Sequence, residues 1–403
     1  MKQILRTVYT VLHALANIPG LGWLISRWVR PVQVQEIITR GVTHEGTIYG
    51  PTPAITSRVQ EFGQPFVQPE PEHFPPVGWR VVERATTVAT RHFPYLVHGN
   101  QMMIGPRRNP GPWTVVRKGN QVVWESGFRA LVNMTRGHTT DTDGAILLGG
   151  HSHTNWYHWL VDALPQLHTA RLLPEPFRSW PVCVPESIFR YPTMVEALEL
   201  FLDGRDVIRI PEGGRIRGSL CWIDSLEIMN APDSLVATRP VSQIHLLHRE
   251  GMESYRQVFL DRFGGHTSPW GDKIFITRTG NRRVYNQDEI AAVAAEFGFT
   301  AVAPETLSLA EQVTLFSGAT HIIGPSGAGF AGMLFASPDT HVLCWQDSRL
   351  THMTILPDLA TLTHSHYWHL FYTPEEGGIF TSNYHLDPSV IRQKIHDFVS
   401  PAS

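Results

Sequence analysis

Two side chains four residues apart, His158 and Asp162, have the spacing of an acid–base pair. At 100° per residue they share one stripe of a helix with Asn155 and Gln166, so their side chains can meet. A carboxylate that orients an imidazole makes it a general base suited to activating a hydroxyl group near neutral pH. The alternative is a pair that only caps or solvates a helix face.

The same segment contains apolar and helix-breaking residues that predict how it packs. Trp156, Leu160, Ala163 and Leu167 fall opposite the polar stripe. Pro165 is expected to kink or end the helix, because proline has no backbone N–H and its ring clashes with the preceding turn.

Three arginines, Arg278, Arg282 and Arg283, follow the strand-like residues 273–277 and precede a helix that Asn286 can cap. Guanidinium groups stay charged and bind phosphate oxygens in a bidentate manner. A diphosphate leaving group needs such cations, above all where no metal ion supplies them. The pattern therefore indicates a diphosphate site, and the alternative is a solvated turn.

Small residues, Ser326, Gly327, Ala328 and Gly329, lie between the strand-like residues 321–324 and a predicted helix at 330–335. Small residues let the backbone approach a ligand, and a helix N-terminus offers free N–H groups to a phosphate. The strand–turn–helix context strengthens a glycine-rich signal that is weak by itself.

The same run is close to the Gly-x-Ser-x-Gly turn of serine hydrolases, with Ser326 as the nucleophile. Acids and bases follow in the expected order: Asp347 or Asp358, then His364 or His385. Against this alternative, Ala328 replaces the final glycine, and the arginines and the His158 segment stay unexplained.

Histidines also cluster before the first helix and near the end of the chain, at His151 and His153 and at His364, His366 and His369. No pair has the His-Glu-x-x-His spacing of a helical zinc site. We therefore expect a polar surface and no metal-binding residues.

Strand-like and helix-like segments alternate over residues 145–240 and again from about residue 272 to 345. This alternation predicts two parallel sheets with helices on their faces, joined near residue 240 across a cleft. Ligands of such open sheets lie beyond the carboxyl ends of the strands. Residues 31–150 instead predict short strands and turns, including a hairpin at 113–125, and the proline-dense residues 51–76 predict a loop or linker.

The composition is that of a globular chain. It has 403 residues, 42% hydrophobic and 17% charged, with a formal charge of −3, which suits two domains and provides no basic field for nucleic acid. The three widely spaced cysteines predict reduced, cytosolic thiols.

The first 30 residues combine an interrupted apolar stretch with Lys2, Arg6, Arg27 and Arg30 near Trp23 and Trp28. This pattern suits either a helix lying in a membrane interface or a helix packed on the protein itself.

At its motifs the chain resembles glycosyltransferase family 61. Asn155-Trp-Tyr-His158-Trp, then Asp162 and Leu-Pro165, is similar to one family motif. Thr277-Arg278, Arg282-Arg283 and Asn286 to Glu289 are similar to a second, and residues 307–329 to a third, over about residues 145–370 in all. The chain departs from the family at Ser326, often His, at Phe330–Gly332, often Leu-Thr-Asn, and near Cys344-Trp345, where a Glu is frequent.

The resemblance implies an α/β fold of the GT-B type, with two Rossmann-like domains facing a cleft. The short strands predicted before residue 145, which the resemblance does not cover, add a β-rich N-terminal part. We predict a membrane-associated amphipathic helix at 1–30, a β-rich segment at 31–144, an acceptor domain at 145–240, a nucleotide-sugar-binding domain at 241–370, and a tail with a crossover helix at 371–403.

The resemblance also implies an inverting transfer from a nucleotide-diphosphate sugar, with a UDP-sugar expected, to a hydroxyl of a glycan acceptor. The acceptor suggested by the N-terminal segment is a lipid-linked glycan of a capsule or other surface polysaccharide. No cofactor or essential metal is expected, and the predicted location is cytoplasmic, peripheral on the inner face of the cell membrane. A non-catalytic sugar- or nucleotide-binding relative is a further alternative.

The predicted site residues fall into three groups. His158 and Asp162 are the catalytic pair. The acceptor-binding residues are His151, Asn155 and Trp156. The donor-binding residues are Arg278, Arg282, Arg283, Asn286, Glu305, Gln312, Ser326, Gly327, Ala328 and Gly329.

Overall fold

The computed structural model describes residues 11, 14–15, 30–35, 38–88, 94–103, 114–116, 122–126, 129–133, 137–150, 152–229, 245–280 and 282–400. The chain divides into a first unit, Met1–Thr52 with Pro75–Arg239, and a second unit, Pro53–Phe74 with Pro240–Ser403. Most of the helix predicted at 1–30 lies outside the described residues. The proline-dense loop belongs largely to the second unit.

The strands, in chain order, are β1 (Arg30–Gln35), β2 (Val42–Tyr49), β3 (Thr52–Ile55), β4 (His73–Phe74), β5 (Val77–Val88), β6 (Tyr95–His98), β7 (Gln101–Met103), β8 (Thr114–Val116), β9 (Val122–Ser126), β10 (Arg129–Val132), β11 (Thr139–Leu147), β12 (Val182–Pro185), β13 (Val207–Ile210), β14 (Arg215–Ile223), β15 (Glu227–Met229), β16 (His245–His248), β17 (Lys273–Ile276), β18 (Thr300–Val302), β19 (His321–Pro325), β20 (His341–Asp347) and β21 (His366–Tyr372).

The α-helices are α1 (Leu164–Thr169), α2 (Pro192–Glu199), α3 (Arg249–Phe263), α4 (Gln287–Ala295), α5 (Leu309–Ser317), α6 (Ile355–Thr363) and α7 (Pro388–Val399). A π-helix covers His158–Ala163, and 3-10 helices cover Ala170–Leu172, Phe177–Ser179, Glu186–Arg190, Pro304–Thr306, Ala328–Phe335 and Ser348–Leu350.

One large sheet forms the first unit, in the order β13-β12-β11-β14-β5-β6-β7-β1-β10-β9-β8, with β2 against β5. Its strands β11 to β14 are mutually parallel, as the alternation over 145–240 predicts. Strand β14 then pairs antiparallel with β5, so the β-rich N-terminal part continues the same sheet. The predicted hairpin partners β8 and β9 do pair antiparallel, but the turn between them lies outside the described residues.

The second unit contains a five-stranded parallel sheet in the order β18-β17-β19-β20-β21. In chain order within this sheet the strands run 2-1-3-4-5, so the connections leave β17 and β19 toward opposite edges. The carboxyl ends of β17 and β19 therefore flank a topological switch point, where open α/β sheets bind ligands.

The core of the second unit forms because helices α4 and α7 lay their apolar faces on this sheet. Ile391, Ile395 and Phe398 of α7 pack with Phe275 and Leu343 of the strands. The predicted tail helix is thus present and belongs to the second unit. The mixed α/β class is confirmed, whereas the two-domain GT-B arrangement stays a prediction.

Three predicted helices differ in detail from the structure. The helix predicted at 330–335 is a 3-10 helix from Ala328 to Phe335. Within it, Gly332 lies so close to the Phe316 ring that a Cβ would not fit. Asn286 stands at the N-cap of α4 but makes no capping bond. The helix predicted from about Thr154 begins at Trp156 and continues as a π-helix from His158.

Other local predictions are confirmed. Ser308 and Glu311 form the capping box expected for α5. Cys183, Cys221 and Cys344 are free and buried. Among the described residues, no helix has both the length and the apolar character needed to span a bilayer.

Candidate functional site

Two arginines converge on one backbone carbonyl at the switch point of the second unit. Arg278 follows β17, and both its Nη2 and that of Arg283 donate to the carbonyl oxygen of Ser326, which follows β19; the Arg283 bond is 3.0 Å. One carbonyl cannot neutralise two guanidinium groups. Among the ion pairs of the described residues, none involves Arg278, Arg282 or Arg283. This edge of the sheet is therefore a site of uncompensated positive charge, suited to an anion.

Arg283 is held in an unusual state. Its φ of +59° is in the left-handed region, its residue is 7% exposed, and its Nε has no hydrogen-bond partner among the described residues. Burial lowers the pKa of its guanidinium to about 10, with the charge of Arg278 adding to the effect. A buried cation with an unused N–H is the kind of group that an anionic ligand satisfies.

Gly327 lets the Arg278 guanidinium lie directly against the backbone. A Cβ at this position would clash with Nη2 of Arg278 and lie 3.3 Å from Nη2 of Arg283. At Gly329, by contrast, a Cβ would make only ordinary contact, 3.4 Å from Ile276. The first residues of the 3-10 helix, Ala328 and Gly329, have no intrahelical acceptor for their N–H groups. The predicted glycine-rich segment and the predicted arginines thus lie together.

Gln287 fixes the backbone of Arg278. Its Oε1 accepts from the Arg278 N–H at 2.8 Å, and its Nε2 donates to the Arg278 carbonyl at 3.1 Å. Glu305, in the 3-10 helix that follows β18, accepts hydrogen bonds from both the N–H and the hydroxyl of Thr279, at 2.9 and 2.7 Å. Gln287 was not among the predicted site residues. Its position directly after Asn286 in the arginine motif is the sequence feature that could have indicated it.

The chain end holds the arginine loop from the other side. The Asn286 side chain donates to the Leu386 carbonyl at 2.8 Å and accepts from the Leu386 N–H at 3.0 Å. Tyr285 stacks on Tyr384, and Tyr384 stacks on Tyr372, with ring centroids 4.9 and 3.8 Å apart. Residues of the predicted tail therefore position the arginines, which spacing in the sequence did not indicate.

The other predicted donor-binding residues differ in accessibility. Arg282 and Glu305 are exposed, whereas Gln312 on α5 is buried. Gln312 donates to the Leu307 carbonyl at 3.3 Å, and its Oε1 has no hydrogen-bond partner among the described residues. Its unused acceptor is available for a ligand or a water molecule.

Among the described residues, Ser326 does not form a catalytic triad with the acids and histidines predicted for a hydrolase. Ser326 is buried, and no histidine is among the hydrogen-bond partners of its side chain in the described residues. Asp347 is paired with Arg349, and Asp358 is bonded to His245 and Ser57. The predicted histidine partners, His364 and His385, are both exposed.

In the first unit, His158 opens the π-helix, and Asp162 lies one turn along it. Their Nδ1 and Oδ2 atoms are 3.8 Å apart, with side chains 19% and 6% exposed. Ser225 donates to the Asp162 carbonyl at 3.2 Å and lies 3.4 Å from its Oδ1. The predicted pair is thus brought together within ion-pairing distance, and His158 keeps contact with solvent. π-Turns occur frequently at functional sites.

Gln166 is a structural anchor for this segment. Its carboxamide accepts from the Gly149 N–H at 2.9 Å and donates to the Gly149 carbonyl at 3.0 Å and the Asp162 carbonyl at 2.9 Å. Gly149 must lack a side chain because a Cβ would clash with Trp222. These bonds tie the helix that carries Asp162 to the carboxyl end of β11.

Two of the three predicted acceptor-binding residues lie among the described residues. Asn155 accepts from the Tyr157 N–H at 2.9 Å and so shapes the turn before the π-helix. Trp156 is partly buried, and its Nε1 has no hydrogen-bond partner among the described residues. His151 lies outside the described residues. No group of His, Cys, Asp and Glu side chains within them is arranged to hold a metal ion.

A family model described as Glycosyltransferase 61 matches residues 156–343. No protein of curated function matches the sequence. The matched region starts beside His158, includes the arginine loop and the glycine-rich segment, and ends within β20. Residues 156–343 therefore belong to glycosyltransferase family 61.

Proposed function

We propose that this glycosyltransferase moves a sugar from a nucleotide-diphosphate donor, expected to be a UDP-sugar, to a hydroxyl of a glycan acceptor with inversion. The observation that carries the proposal is the convergence of Arg278 and Arg283 on the Ser326 carbonyl at the switch point. Two cations that have no carboxylate partner in the described part of the chain, and that pack against the backbone of a glycine, suit a diphosphate.

The arginine pair would act on the leaving group. As the bond from the anomeric carbon to the diphosphate oxygen breaks, negative charge grows on that oxygen. Preorganised guanidinium groups stabilise such charge most strongly where water is excluded, and Arg283 is 7% exposed. Because these cations can supply the neutralisation that a divalent ion gives elsewhere, we expect turnover without added metal.

His158 would act on the acceptor. The acceptor oxygen forms a bond to the anomeric carbon, its proton passes to the His158 imidazole, and the electron pair of the broken bond leaves with the diphosphate. A single displacement of this kind inverts the anomeric centre. Asp162 supports the role because a carboxylate 3.8 Å away favours the imidazolium that forms.

The wider setting is also a proposal. The apolar and basic residues of 1–30 suit contact with a membrane surface. We propose an acceptor on a lipid carrier at the cytoplasmic face, as in the synthesis of a capsule or other surface polysaccharide.

The test is product formation. Purified protein is incubated with UDP-, GDP- and CMP-sugars and a panel of glycan acceptors, with and without EDTA. Release of one nucleoside diphosphate, together with a glycoside of inverted anomeric configuration by NMR, is the expected result. A retained configuration would contradict the single displacement, and hydrolysis abolished in Ser326→Ala would favour the hydrolase.

A further inference from the structure

Gln346 near the end of β20 is a buried glutamine whose carboxamide makes no side-chain hydrogen bond within the described part of the chain. Gln346 is 1% exposed, and neither its Nε2 nor its Oε1 has a hydrogen-bond partner among the described residues. Leaving such groups dry and unpaired is costly, and native structures rarely do so without a reason.

Gln346 lies beside the arginine site. Pro325 is opposite Trp345 in the parallel register, and the Ser326 N–H donates to the Trp345 carbonyl at 3.0 Å. Ser326 and Gln346 are therefore level with each other on neighbouring strands. Strand alternation places Gln346 on the same face of β20 as Cys344, which is the register partner of Gly324 on β19.

An aromatic ring is the next side chain on that face. Phe371 is the register partner of Gln346 on the edge strand β21. Its ring stacks at 12° and 5.4 Å on the ring of His369, and the residue is only partly buried. A flat ligand group could therefore lie against an aromatic ring while its edge meets a carboxamide.

The chemistry of the carboxamide selects among ligands. It presents a donor and an acceptor side by side, which matches the edge of a nucleobase. A trans acetamido group does not match, because its N–H and C=O point in opposite directions. Sugar hydroxyls would bury further polar atoms without partners in an apolar surrounding, whereas a base offers flat faces to Phe371.

We propose that Gln346 and Phe371 form the nucleobase subsite of the donor, with Gln346 as the residue that determines which nucleotide is bound. The inference rests on the proposed function. The diphosphate would lie at Ser326, which follows β19. The base would lie between Gln346 on β20 and Phe371 on β21, and β21 is about 10 Å from β19 at the usual strand spacing. Binding requires a rotamer change of Phe371, as is common at binding surfaces.

The test separates the base from the diphosphate. Isothermal titration calorimetry in EDTA compares inorganic pyrophosphate, UDP, GDP, CDP and ADP on wild type and Gln346→Leu. Wild type should prefer one nucleotide. In the variant, that affinity should fall roughly 10–100-fold and the nucleotides should become equivalent, while pyrophosphate affinity stays unchanged.

Two failures are distinguishable. If Gln346→Leu keeps the affinities and the ranking of wild type, the nucleobase subsite is wrong and the donor site stands. If wild type binds neither pyrophosphate nor any nucleotide, both proposals fall.

A second pair of variants decides the matter if Gln346→Leu does not fold. Phe371→Leu should weaken nucleotide but not pyrophosphate binding, and Phe371→Tyr should retain both. Equal nucleotide affinities for the two variants would overturn the proposal.

Discussion

The two candidate sites of this chain are built in different ways. At the arginine site, the side chains stand at the carboxyl ends of regular parallel strands and leave charge and hydrogen-bonding capacity unused. At the His158 site, the side chains stand on a π-turn, and the neighbouring polar groups Asn155 and Gln166 are engaged by the chain itself. The arginine site thus offers charged groups to a ligand, whereas the His158 site offers a positioned imidazole.

The largest expected effect isolates that imidazole. His158→Ala should lower turnover roughly 10²–10⁴-fold, the usual contribution of a general base, and leave donor affinity unchanged. Steady-state kinetics and calorimetry measure the two quantities, with the exposed His138→Ala as the control. Unchanged turnover would remove His158 from the chemistry.

The next effect tests the close approach of Arg278 to the Gly327 backbone. Gly327→Ala should lower kcat/KM about 10²-fold, because its Cβ would displace the Arg278 guanidinium and small displacements of positioning groups have effects of this size. Gly329→Ala is the matched control, because its Cβ would make ordinary contact only. Equal losses in the two variants would show that the loop, and not the arginine pair, is sensitive.

Arg283→Met should separate stability from binding. The buried guanidinium has its pKa lowered to about 10 by burial, so an apolar side chain of similar size should leave Tm equal or higher. Pyrophosphate affinity should nevertheless fall at least 10-fold. A large drop in Tm would mean that Arg283 is mainly structural.

Gln166→Leu should show the opposite behaviour. It leaves the Gly149 N–H and carbonyl without their partner, at a cost of about 1–3 kcal/mol, so Tm should fall by several degrees while pyrophosphate affinity is kept. Gln393→Leu on the exposed face of α7 is the control. An unchanged Tm would contradict the anchoring role.

The smallest effect compares the acid sensitivity of the two units. Burial lowers the pKa of His168 in the first unit to about 4 and that of His369 in the second to about 3. The unfolded chain therefore binds more protons below about pH 6.5, so stability is complete above that pH and is lost as pH falls toward 4. His168→Phe and His369→Phe should each flatten the dependence of Tm on pH between 4 and 6.5, and the exposed His396→Phe should not.

Sequence patterns predicted the second unit well because its signals are local and regular. The capping box at Ser308, the strand at 321–324 and the arginine motif each act within a few residues, and parallel topology then brings their ends together. A helical wheel at 100° per residue assumes α-helical winding, so it could not predict the π-helix at His158–Ala163. Pro165 has no backbone N–H and cannot donate the hydrogen bond that α-helical winding requires at its position. No short sequence pattern predicts contacts between distant segments, such as that of Asn286 with Leu386. The same holds for Gln346, whose carboxamide has no hydrogen-bond partner among the described residues.

The central claim is that the edge formed by Arg278, Arg283 and Ser326 binds a nucleotide diphosphate without metal. The direct measurement is calorimetric titration of nucleoside diphosphates and pyrophosphate in EDTA, on wild type and on the Arg278→Ala/Arg283→Met double variant. We predict binding to wild type that survives EDTA, and no detectable binding to a folded double variant. Binding that requires a divalent ion, or that the double variant retains, would contradict the claim.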